Sequence, residues 1–502
     1  MNTPLIDRYG DRIAGVLTCY DRIVITGTLP GACHAAGMTS FLNAKGIRIF
    51  DYPHFAEPLR DRLRENAEAL AAAAGITIQY IAKAHIRKEA VVAEVIKTRG
   101  DHPGLVHVIS VMEACSSYSA WHDKHTHQTY LRPKSGKCLH YYFYFIDTEL
   151  GLMYVRVPTW CPFRLQVYCN GHSWLARQLT AAGSDYAMAD NAFIRIDDWE
   201  RAQKLADGLS PDMLHRVLDH YARQCCPVID VFNQTYHWSL MQVECSTDLA
   251  FRSETTLKPL FDAISREAIV SVKAPQVMHF LGKKLTPQVT QEIESRFSTR
   301  IEGVCIKHRL GKHSVKMYDK FGRVLRIETT TNDVSFFKHH RKVEHRDGHA
   351  TRELAAVKKS IYSLIDLREI LLGCNRRYLD FLSALDDFSA GTRCLSKLTT
   401  AKEINGHRVK GFNFFDKVEH VLLCSLQNPE FNIRGVRRAD LKPFLPSLSA
   451  ASITRYLKRL RDFGLIKKVV GSYRYYLTHT GRNAIAAACR IREQVIIPAL
   501  AA

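Results

Sequence analysis

The sequence predicts a multidomain protein of the α+β or α/β class that ends in a winged helix-turn-helix. Strand-like and helix-like segments are mixed through the first 388 residues. A small, polar and basic stretch follows, and the remainder runs as three helices and a hairpin. These patterns indicate an α/β domain, an α+β domain with a β-meander and a helical tail, a linker and the winged module. The expected bounds are 1–205, 206–388, 389–411 and 412–502.

The chain of 502 residues contains 70 lysine and arginine residues against 50 acidic ones, a net charge of +20. That excess favours a polyanionic partner, most simply DNA or RNA. Residues 1–12 are polar and charged, and no apolar run is long enough to cross a bilayer. We therefore expect a cytoplasmic protein with no membrane partner. The sequence does not specify an oligomeric state.

The N-terminal domain is predicted from alternating strand and helix signals. Arg22–Leu29 has the apolar, β-branched composition of a buried strand, and Pro58–Ala74 has that of a helix. His140–Asp147 and Leu152–Val157 are predicted to pair as a hairpin. Phe163–Thr180 is predicted to be helical.

Three short stretches of this domain contain residue types that are common in functional sites. Asp21 is either a lone acidic ligand or a cap, and Asn170–Ser173 is either a polar site or a turn. Trp121–His127, with Cys138 and His140 after it, is rich in histidine. Its spacing matches no zinc motif and CxxC pairs are absent, so we expect zinc not to be a cofactor.

The second domain is predicted to contain a β-meander over residues 298–331. Alternation places Lys316, Tyr318 and Lys320 on one face of a strand, and Glu328 follows on the next strand. Lysines on a sheet face can bind the phosphates of a single strand, and Glu328 is a candidate ligand for Mg²⁺ or Mn²⁺. An exposed hairpin with cross-strand ion pairs is the alternative.

The segment Arg309–Glu328 resembles the G-x-x-x-S-x-x-R-x-Y-D-K … R-x-E signature of rolling-circle plasmid replication initiators of the Rep_trans type. The resemblance implies a domain that nicks single-stranded DNA. If a tyrosine is the nucleophile, Tyr318 in the meander and Tyr362 on a later helix are the two candidates. Lys316 stands where the family usually has arginine, and His125–His127 is the nearest match to the paired histidines of nicking enzymes. The sequence leaves open whether the chain is an enzyme.

A basic and aromatic run comes after the meander. Phe336–Arg346 contains Lys338 and Arg341 among several other cations and rings. Stacking combined with charge suits single-stranded nucleic acid, and a solvated loop is the alternative. A long helical segment over Arg352–Phe388 is predicted to follow.

The C-terminal module is predicted from caps and periodicity. Ser449 is a suitable N-cap for a helix over Ala450–Phe463, and Gly464 suits the left-handed position after it. Two earlier helices and two strands that turn at Gly471–Ser472 complete the pattern. Their expected bounds are Phe412–Leu426, Ala439–Leu445, Leu465–Val470 and Tyr473–Thr478.

The third helix of the module has a basic face opposite its apolar stripe. Phe431–Arg482 contains twelve lysine and arginine residues against two aspartates. Such a helix enters the major groove while the wing lies along the phosphates, so we predict duplex DNA binding; a module for protein contacts is the alternative. The residues expected at the interface are Ser452, Arg455, Lys458, Arg459 and Arg461 of the helix and Arg474 of the wing.

Over about half of its length the chain resembles a group of uncharacterised bacterial proteins of similar length, which are labelled MarR-type regulators for their winged helix. The stretches that carry the likeness are Tyr20–Leu29, Gly136–Asp147, Arg156–Trp174, Ser298–Gly348 and the C-terminus. The likeness implies no established activity. Three hypotheses stay open: a mobile-element or replication-type protein with metal-dependent nicking, a transcriptional regulator whose N-terminal regions sense a ligand or mediate assembly, and a non-catalytic RNA-binding protein.

Overall fold

The computed structural model describes residues 4–83, 85–284, 293–300, 303–386, 388–404, 406–497 and 500. The chain divides into two compact units, Met1–Asp386 and Asp387–Ala502. The class is mixed α and β, as predicted. None of the described helices combines the length and the apolar character needed to cross a membrane.

The first unit is built on one large sheet of eleven described strands. Separate pairs are formed by β7 with β8 and by β14 with β15. The strands are β1 Ile13–Thr28, β2 Gln79–Tyr80, β3 Gly104–Asp123, β4 Gln128–Asp147, β5 Gly151–Pro158, β6 Leu165–Cys169, β7 Tyr186–Ala189, β8 Ala192–Ile196, β9 His237–Phe251, β10 Ile293–Arg300, β11 Gly303–Leu310, β12 His313–Lys320, β13 Val324–Thr331, β14 Lys338–Glu344 and β15 Ala350–Ala356.

The order of strands in the large sheet corrects the predicted domain boundary at residue 205. The order is β10-β11-β12-β13-β9-β1-β6-β5-β4-β3-β2, with β2 parallel to β3 and the other neighbours antiparallel. Strand β9, from the predicted second domain, pairs along nearly its whole length with β1 from the predicted first domain. The two regions therefore share one sheet and one unit.

Ten described helices surround this sheet. They are α1 Pro4–Tyr9, α2 Ala35–Ala44, α3 Tyr52–Ala73, α4 Lys88–Arg99, α5 Gly171–Ala181, α6 Trp199–Asp207, α7 Pro211–Cys225, α8 Glu254–Ser271, α9 Ala274–Phe280 and α10 Leu364–Asp386. The main core lies where α2, α3, α7 and α10 pack on the sheet, and a second core lies where α8, α9 and α10 cover β9 to β13. Burial of these apolar faces supplies the main stabilisation of such a layered fold.

Two predicted helices begin later than expected. Leu165, Val167 and Cys169 alternate as buried residues of β6, and the helix starts only after Asn170, whose side chain accepts the backbone N–H groups of residues 172 and 173. The segment predicted as one helix over 352–388 begins as β15, which pairs with β14, and becomes helical at Leu364. In both places the local pairing of strands outweighs helical periodicity.

The second unit begins with structure where a linker was expected. It contains α11 Phe388–Thr399, β16 Lys402–Ile404, β17 His407–Val409, α12 Lys417–Ser425, α13 Pro429–Arg434, α14 Arg438–Leu441, α15 Ala450–Asp462, β18 Ile466–Lys468, β19 Tyr475–Leu477 and α16 His479–Arg490, which continues as a π-helical turn over Ile491–Ile496. Residues 389–411 thus include a helix and a hairpin, and Leu398 and Phe412 join the core of the unit.

The predicted ends of α15 are confirmed. The hydroxyl of Ser449 accepts the backbone N–H of Ser452, and Gly464 has a φ of +71°, the left-handed conformation that favours glycine. Ile453, Leu457 and Leu460 are buried on one side of the helix. The two strands after α15 are shorter than predicted, but they pair as expected.

Candidate active site

Three neighbouring strands in the large sheet, β9, β12 and β13, have polar side chains on one face. On the other face the Thr329 hydroxyl donates to Asn375 of α10 over 2.7 Å, and Asn375 Nδ2 lies 3.2 Å from Thr247 Oγ1. Because side chains alternate across a strand, the neighbours of Thr247 and Thr329 point away from α10. The polar set on that opposite face is Glu244, Ser246, Asp248, Lys316, Tyr318, Lys320, Arg326, Glu328 and Thr330.

Asp21 joins this face through a β-bulge in β1. The register of β1 against β9 passes from Tyr20–Cys245 to Arg22–Glu244, so Asp21 is the extra residue. Bulges of this kind re-aim a side chain. A Cβ at Gly171 would lie 2.3 Å from the carbonyl oxygen of Tyr20, so the start of α5 approaches the bulge closely only because residue 171 is glycine.

Asp21, Glu244 and Glu328 bring their carboxylate oxygens within 4.8 Å of one another. We call these three residues the carboxylate cluster. Glu328 accepts a hydrogen bond from the Tyr318 hydroxyl over 2.6 Å at Oε2, and its Oε1 pairs with the ammonium of Lys316. The Lys316 ammonium also lies 3.8 Å from Glu244 Oε1. The side chain of Glu328 is 1% exposed and those of Asp21 and Glu244 are 11% and 12% exposed, so the cluster is largely buried and reaches solvent only through these two residues.

The buried ion pair between Arg326 and Asp248 lies next to the carboxylate cluster. Arg326 donates to both oxygens of Asp248, over 2.7 and 2.6 Å, and its Nη1 lies 3.6 Å from Asp21 Oδ1. Asn191 donates to the same Asp21 oxygen over 2.6 Å, and His172 Nδ1 lies 3.3 Å from it. These contacts hold the Asp21 carboxylate in one orientation, as the supporting shell of a metal site does.

Burial and neighbouring charges move the pKa values of the cluster apart. Burial raises the pKa of Glu244 to about 8, and the charge of Glu328 adds to the effect. Burial also opposes ionisation of Glu328 and Asp21, but Lys316 lowers the pKa of Glu328, and Arg326 with His172 lowers that of Asp21. Without a bound cation, Glu244 therefore retains a proton near neutral pH while Asp21 and Glu328 are ionised.

The charge balance of these residues fits a divalent cation. Among the described residues, four carboxylates, those of the cluster and of Asp248, are in direct contact with two lysine or arginine side chains, Lys316 and Arg326, and with His172. Buried negative charge without a partner is costly, and the raised pKa of Glu244 is its consequence. Carboxylate oxygens are the ligands that Mg²⁺ and Mn²⁺ prefer. The cluster could thus hold such an ion.

A row of aromatic rings continues along the same face of the sheet. The Arg22 guanidinium, opposite Glu244 in the register, lies 5.2 Å from the ring centre of Tyr168. Tyr168 stacks on Tyr154 with ring centroids 5.3 Å apart and planes at 15°, and both rings are partly exposed. Rings and a guanidinium beside a carboxylate site suit the bases and phosphates of a single strand.

No family model matches this chain, and no curated protein and no solved structure matches it either. The comparisons therefore add no relative whose activity could be transferred. The chemistry of the site's own residues is the basis for its proposed activity.

The structure places the predicted central residues in different environments. Lys316, Tyr318 and Glu328 lie together in the cluster. Lys320 is 4% exposed and its ammonium donates to Asp190 over 3.0 Å, so it is not open to a phosphate as expected. Tyr362 is exposed on the turn just before α10, where its hydroxyl bonds to His215 of α7 and not to a residue of the cluster.

The predicted basic run after the meander forms a separate hairpin. Lys338 and Arg341 are on β14, which pairs with β15 alone. Lys338 is exposed, whereas Arg341 donates to the carbonyl oxygen of Ala356 across the hairpin over 2.9 Å. Neither residue is on the strands that carry the cluster.

The predicted interface residues of the second unit fall into two groups. Arg455, Lys458 and Arg461 are exposed on α15, and Ser452 is partly exposed beside them. Arg459, in contrast, is 13% exposed and pairs with the buried Glu419 over 2.7 Å. Its guanidinium also lies 4.1 Å from the ring centre of Phe412. Arg459 therefore holds the unit together and does not face solvent as expected.

Arg474 is also engaged within the second unit, where it was expected at the interface. Its Nη1 donates to the backbone carbonyl of Arg434, and the residue is only partly exposed. The basic residues that are open on the hairpin are Lys467 and Lys468 of β18. This part-buried hydrogen bond to the Arg434 carbonyl directs the Arg474 side chain towards the protein.

Two acidic residues of the site were not predicted from the sequence, and two further residues, Asp21 and His172, were not assigned to it. Glu244 and Asp248 were not recognised, although polar residues at every second position of an otherwise buried strand were a usable signal. Asp21 and His172 were noticed, but only as alternatives to a cap and a turn. The bulge and the close approach of Gly171 that bring them to the cluster leave no mark in the local sequence.

Proposed function

We propose that this is a DNA-binding protein of the mobile-element or replication type, and that its first unit cuts a DNA strand with Mg²⁺ or Mn²⁺. The observation that carries the proposal is the convergence of the Asp21, Glu244 and Glu328 carboxylates beside the Tyr318 hydroxyl. Carboxylates that hold a divalent ion next to a nucleophile are the basis of many phosphoryl-transfer sites. The resemblance of the Tyr318–Glu328 segment to nicking replication initiators agrees with it.

The proposed reaction uses groups that already contact one another. Asp21, Glu244 and Glu328 would hold a divalent cation, which would supply positive charge beside the scissile phosphate. The Tyr318 oxygen, oriented by its hydrogen bond to Glu328 Oε2, attacks phosphorus and releases its proton to solvent, and the bond from phosphorus to the leaving strand oxygen breaks. The products are a phosphotyrosine and a strand end that takes up a proton as a free hydroxyl.

The raised pKa of Tyr318 is the reason for which we propose a role for the cation. Burial and the adjacent negative charge of Glu328 raise the pKa of Tyr318 well above its ordinary value. A phenol in that state is a poor nucleophile. A divalent charge at the cluster opposes the field of Glu328 and so favours the phenolate. We propose that strand cleavage therefore requires the metal.

The strand itself is proposed to lie along Arg22, Tyr168 and Tyr154. These side chains begin beside Glu244 and stay on the face that carries the cluster. Stacking on rings tolerates any base, which suits an enzyme that must hold a strand of varied sequence. This path replaces the role that the sequence suggested for Lys320.

The second unit is proposed to be a winged helix that binds duplex DNA. The support is the exposed cationic side of α15, together with Lys467 and Lys468 on the hairpin that follows. A helix with such a side fits the major groove, and the hairpin would follow the phosphates. Duplex binding by this surface requires no catalytic site, so the surface also favours the second candidate function, that of a transcriptional regulator.

The two functions are separated by one assay. Full-length protein is incubated with end-labelled single- and double-stranded DNA and Mg²⁺ or Mn²⁺, and the products are resolved on a denaturing gel. We expect metal-dependent cleavage that Glu328→Gln abolishes and that Glu353→Gln, at an exposed position of β15, leaves unchanged. Duplex binding without cleavage by the wild-type protein under all these conditions would replace the nicking function with the regulator.

A further inference from the structure

A second group of metal-ligating side chains lies in the second unit, where α12 meets the C-terminal helix. His420 and Cys424 are four residues apart on α12, so both face the same neighbour. The Cys424 sulfur lies 3.5 Å from His420 Nε2 and 2.7 Å from the sulfur of Cys489 on α16. These three ligand atoms lie within 4.8 Å of one another.

A fourth ligand approaches the same point. Glu493 follows Cys489 by four residues, on the π-helical turn that continues α16. Its Oε1 lies 3.5 Å from His420 Nε2 and 3.9 Å from the Cys424 sulfur. Two cysteines, a histidine and a carboxylate thus converge from two helices that are far apart in the sequence.

We propose that His420, Cys424 and Cys489 bind Zn²⁺ and that Glu493 completes a tetrahedral site. With Zn–S near 2.3 Å and Zn–N near 2.0–2.1 Å, tetrahedral ligand atoms lie about 3.3–3.8 Å apart. The separation of His420 Nε2 from the Cys424 sulfur has this value already. The two sulfurs must move apart by about 1 Å to accept the ion.

Both thiols and the surroundings are suited to this role. Cys424 and Cys489 are free cysteines, and on binding zinc each would release its proton to solvent and become a thiolate ligand. A cavity of about 620 Å³, lined by His420, Cys424 and Glu493 among others, gives the ion a path from solvent. Two packed thiols would lie further apart than 2.7 Å, and a disulfide would account for the two sulfurs but not for the histidine and carboxylate beside them.

The site would be structural and would act independently of strand cleavage. It would fasten α12 to α16, which are 65 residues apart at the two cysteines. Because the ligands are scattered in the unfolded chain, the free energy of zinc binding would add to the stability of the second unit. Zinc was not expected as a cofactor because CxxC pairs are absent from the sequence, whereas these ligands are spaced by one helical turn.

The test is the zinc content of the full-length protein, reduced, incubated with Zn²⁺ and desalted. The measurements are made in the Glu328→Gln background, which removes a ligand of the carboxylate cluster, and there we expect one zinc per chain by elemental analysis. Cys424→Ser, Cys489→Ser and His420→Ala should lose it, while Cys394→Ser, at an exposed cysteine of α11, should retain it. Because Cys489 is buried and its variant could unfold, His420→Cys is the second probe: it supplies another zinc ligand and should restore binding that His420→Ala abolishes.

Cobalt gives a spectroscopic check on the same samples. Co²⁺ in the wild-type protein should show the visible bands of a tetrahedral site and a thiolate charge-transfer band, and both should be missing in Cys424→Ser. Absence of bound zinc in the reduced wild-type protein would overturn the proposal. So would a Cys424–Cys489 disulfide that persists after reduction, or zinc that remains in the cysteine variants.

Discussion

The Tyr318 hydroxyl donates its hydrogen bond to Glu328 Oε2 over 2.6 Å. The two residues lie diagonally on β12 and β13, since Tyr318 is opposite Arg326 and Glu328 is opposite Lys316 in the register. This relationship joins the candidate nucleophile to both a hydrogen-bond acceptor and a metal ligand. It also makes the role of Tyr318 open to a direct test.

Replacement of Tyr318 by phenylalanine should abolish the covalent protein–DNA adduct. The change removes the attacking oxygen and keeps the ring, so single-strand affinity should stay within about twofold. Tyr362→Phe is the matched control, because the Tyr362 hydroxyl is bonded to His215 of α7 and not to the carboxylate cluster. The adduct is detected as labelled DNA that migrates with the denatured protein. An adduct that survives in Tyr318→Phe and is lost in Tyr362→Phe would mean that Tyr362, and not Tyr318, is the nucleophile.

Stabilisation of the protein by Mg²⁺ should increase with pH. The pKa of Glu244 is raised from 4.5 to about 8, so between these values the folded protein holds a proton that the unfolded chain has lost. That contribution to stability is complete at low pH and disappears as the pH rises through about 8. A cation must displace this proton at about pH 6 but not at about pH 9.

The measurement is the shift in melting temperature caused by Mg²⁺ at these two pH values. We expect a larger shift at the higher pH in the wild-type protein. In Glu244→Gln the shift should be smaller and nearly independent of pH, because the titrating ligand is gone. Equal shifts at both pH values in the wild-type protein would show that Glu244 does not compete with the cation.

Loss of the Tyr168 ring should weaken single-strand binding. Stacking of a base on an aromatic side chain contributes about 1–3 kcal/mol, so Tyr168→Leu should weaken the binding of a labelled single strand by about 5- to 150-fold. Tyr80→Leu, at an exposed tyrosine on the edge strand β2, is the control and should have no effect. Fluorescence anisotropy measures both. An unchanged affinity in Tyr168→Leu would place the strand elsewhere.

Neutralising the exposed side of α15 should flatten the salt dependence of duplex binding. The triple variant Arg455→Ala, Lys458→Ala, Arg461→Ala removes three exposed cations, so the slope of log affinity against log salt should fall by up to ~3. Gel-shift titrations at several salt concentrations measure the slope. The control removes the same charge from other exposed positions of the second unit, namely Lys397, Arg408 and Lys417. A similar slope in both variants would mean that α15 is not the interface.

Arg459 should behave differently from its neighbours on α15. Its removal leaves Glu419 buried without a cation, which costs about 3 kcal/mol or more of unfolding free energy. Arg459→Ala should therefore lower the midpoint of denaturant unfolding, whereas Arg455→Ala should not. Arg459→Lys is expected to recover part of the loss, because it restores the charge without the paired contacts.

The parts of the fold that sequence predicted are those fixed by local pattern. The helix α15 was found because Ser449, Gly464 and a buried stripe mark its ends and its side. The strand β6 was missed because its five residues run almost directly into α5, and an alternation of only Leu165, Val167 and Cys169 is too short to distinguish from helical spacing. The single sheet was missed because the pairing of β1 with β9 joins residues more than 200 positions apart.

The residues of the candidate site show the same difference between features fixed by local sequence and features fixed by long-range pairing. Tyr318 and Glu328 were predicted together because a tight turn connects their strands. Asp21 and Glu244 come from β1 and β9, and only the sheet brings them to Glu328. Lys320 and Arg459 were predicted as open cations, but each neutralises or satisfies a group within the fold. Sequence shows that a residue is charged, while its partner depends on the tertiary structure.

Binding of Mn²⁺ to the full-length protein tests the central claim most directly, with the signal of free Mn²⁺ followed by electron paramagnetic resonance. If the carboxylate cluster holds the cation, the wild-type protein and Glu353→Gln bind Mn²⁺ equally. Asp21→Asn and Glu328→Gln should each weaken the binding of Mn²⁺ by about tenfold or more, because each removes a charged ligand. Equal Mn²⁺ affinity in all four proteins, or no binding by the wild-type protein, would contradict the assignment of the cluster as a metal site.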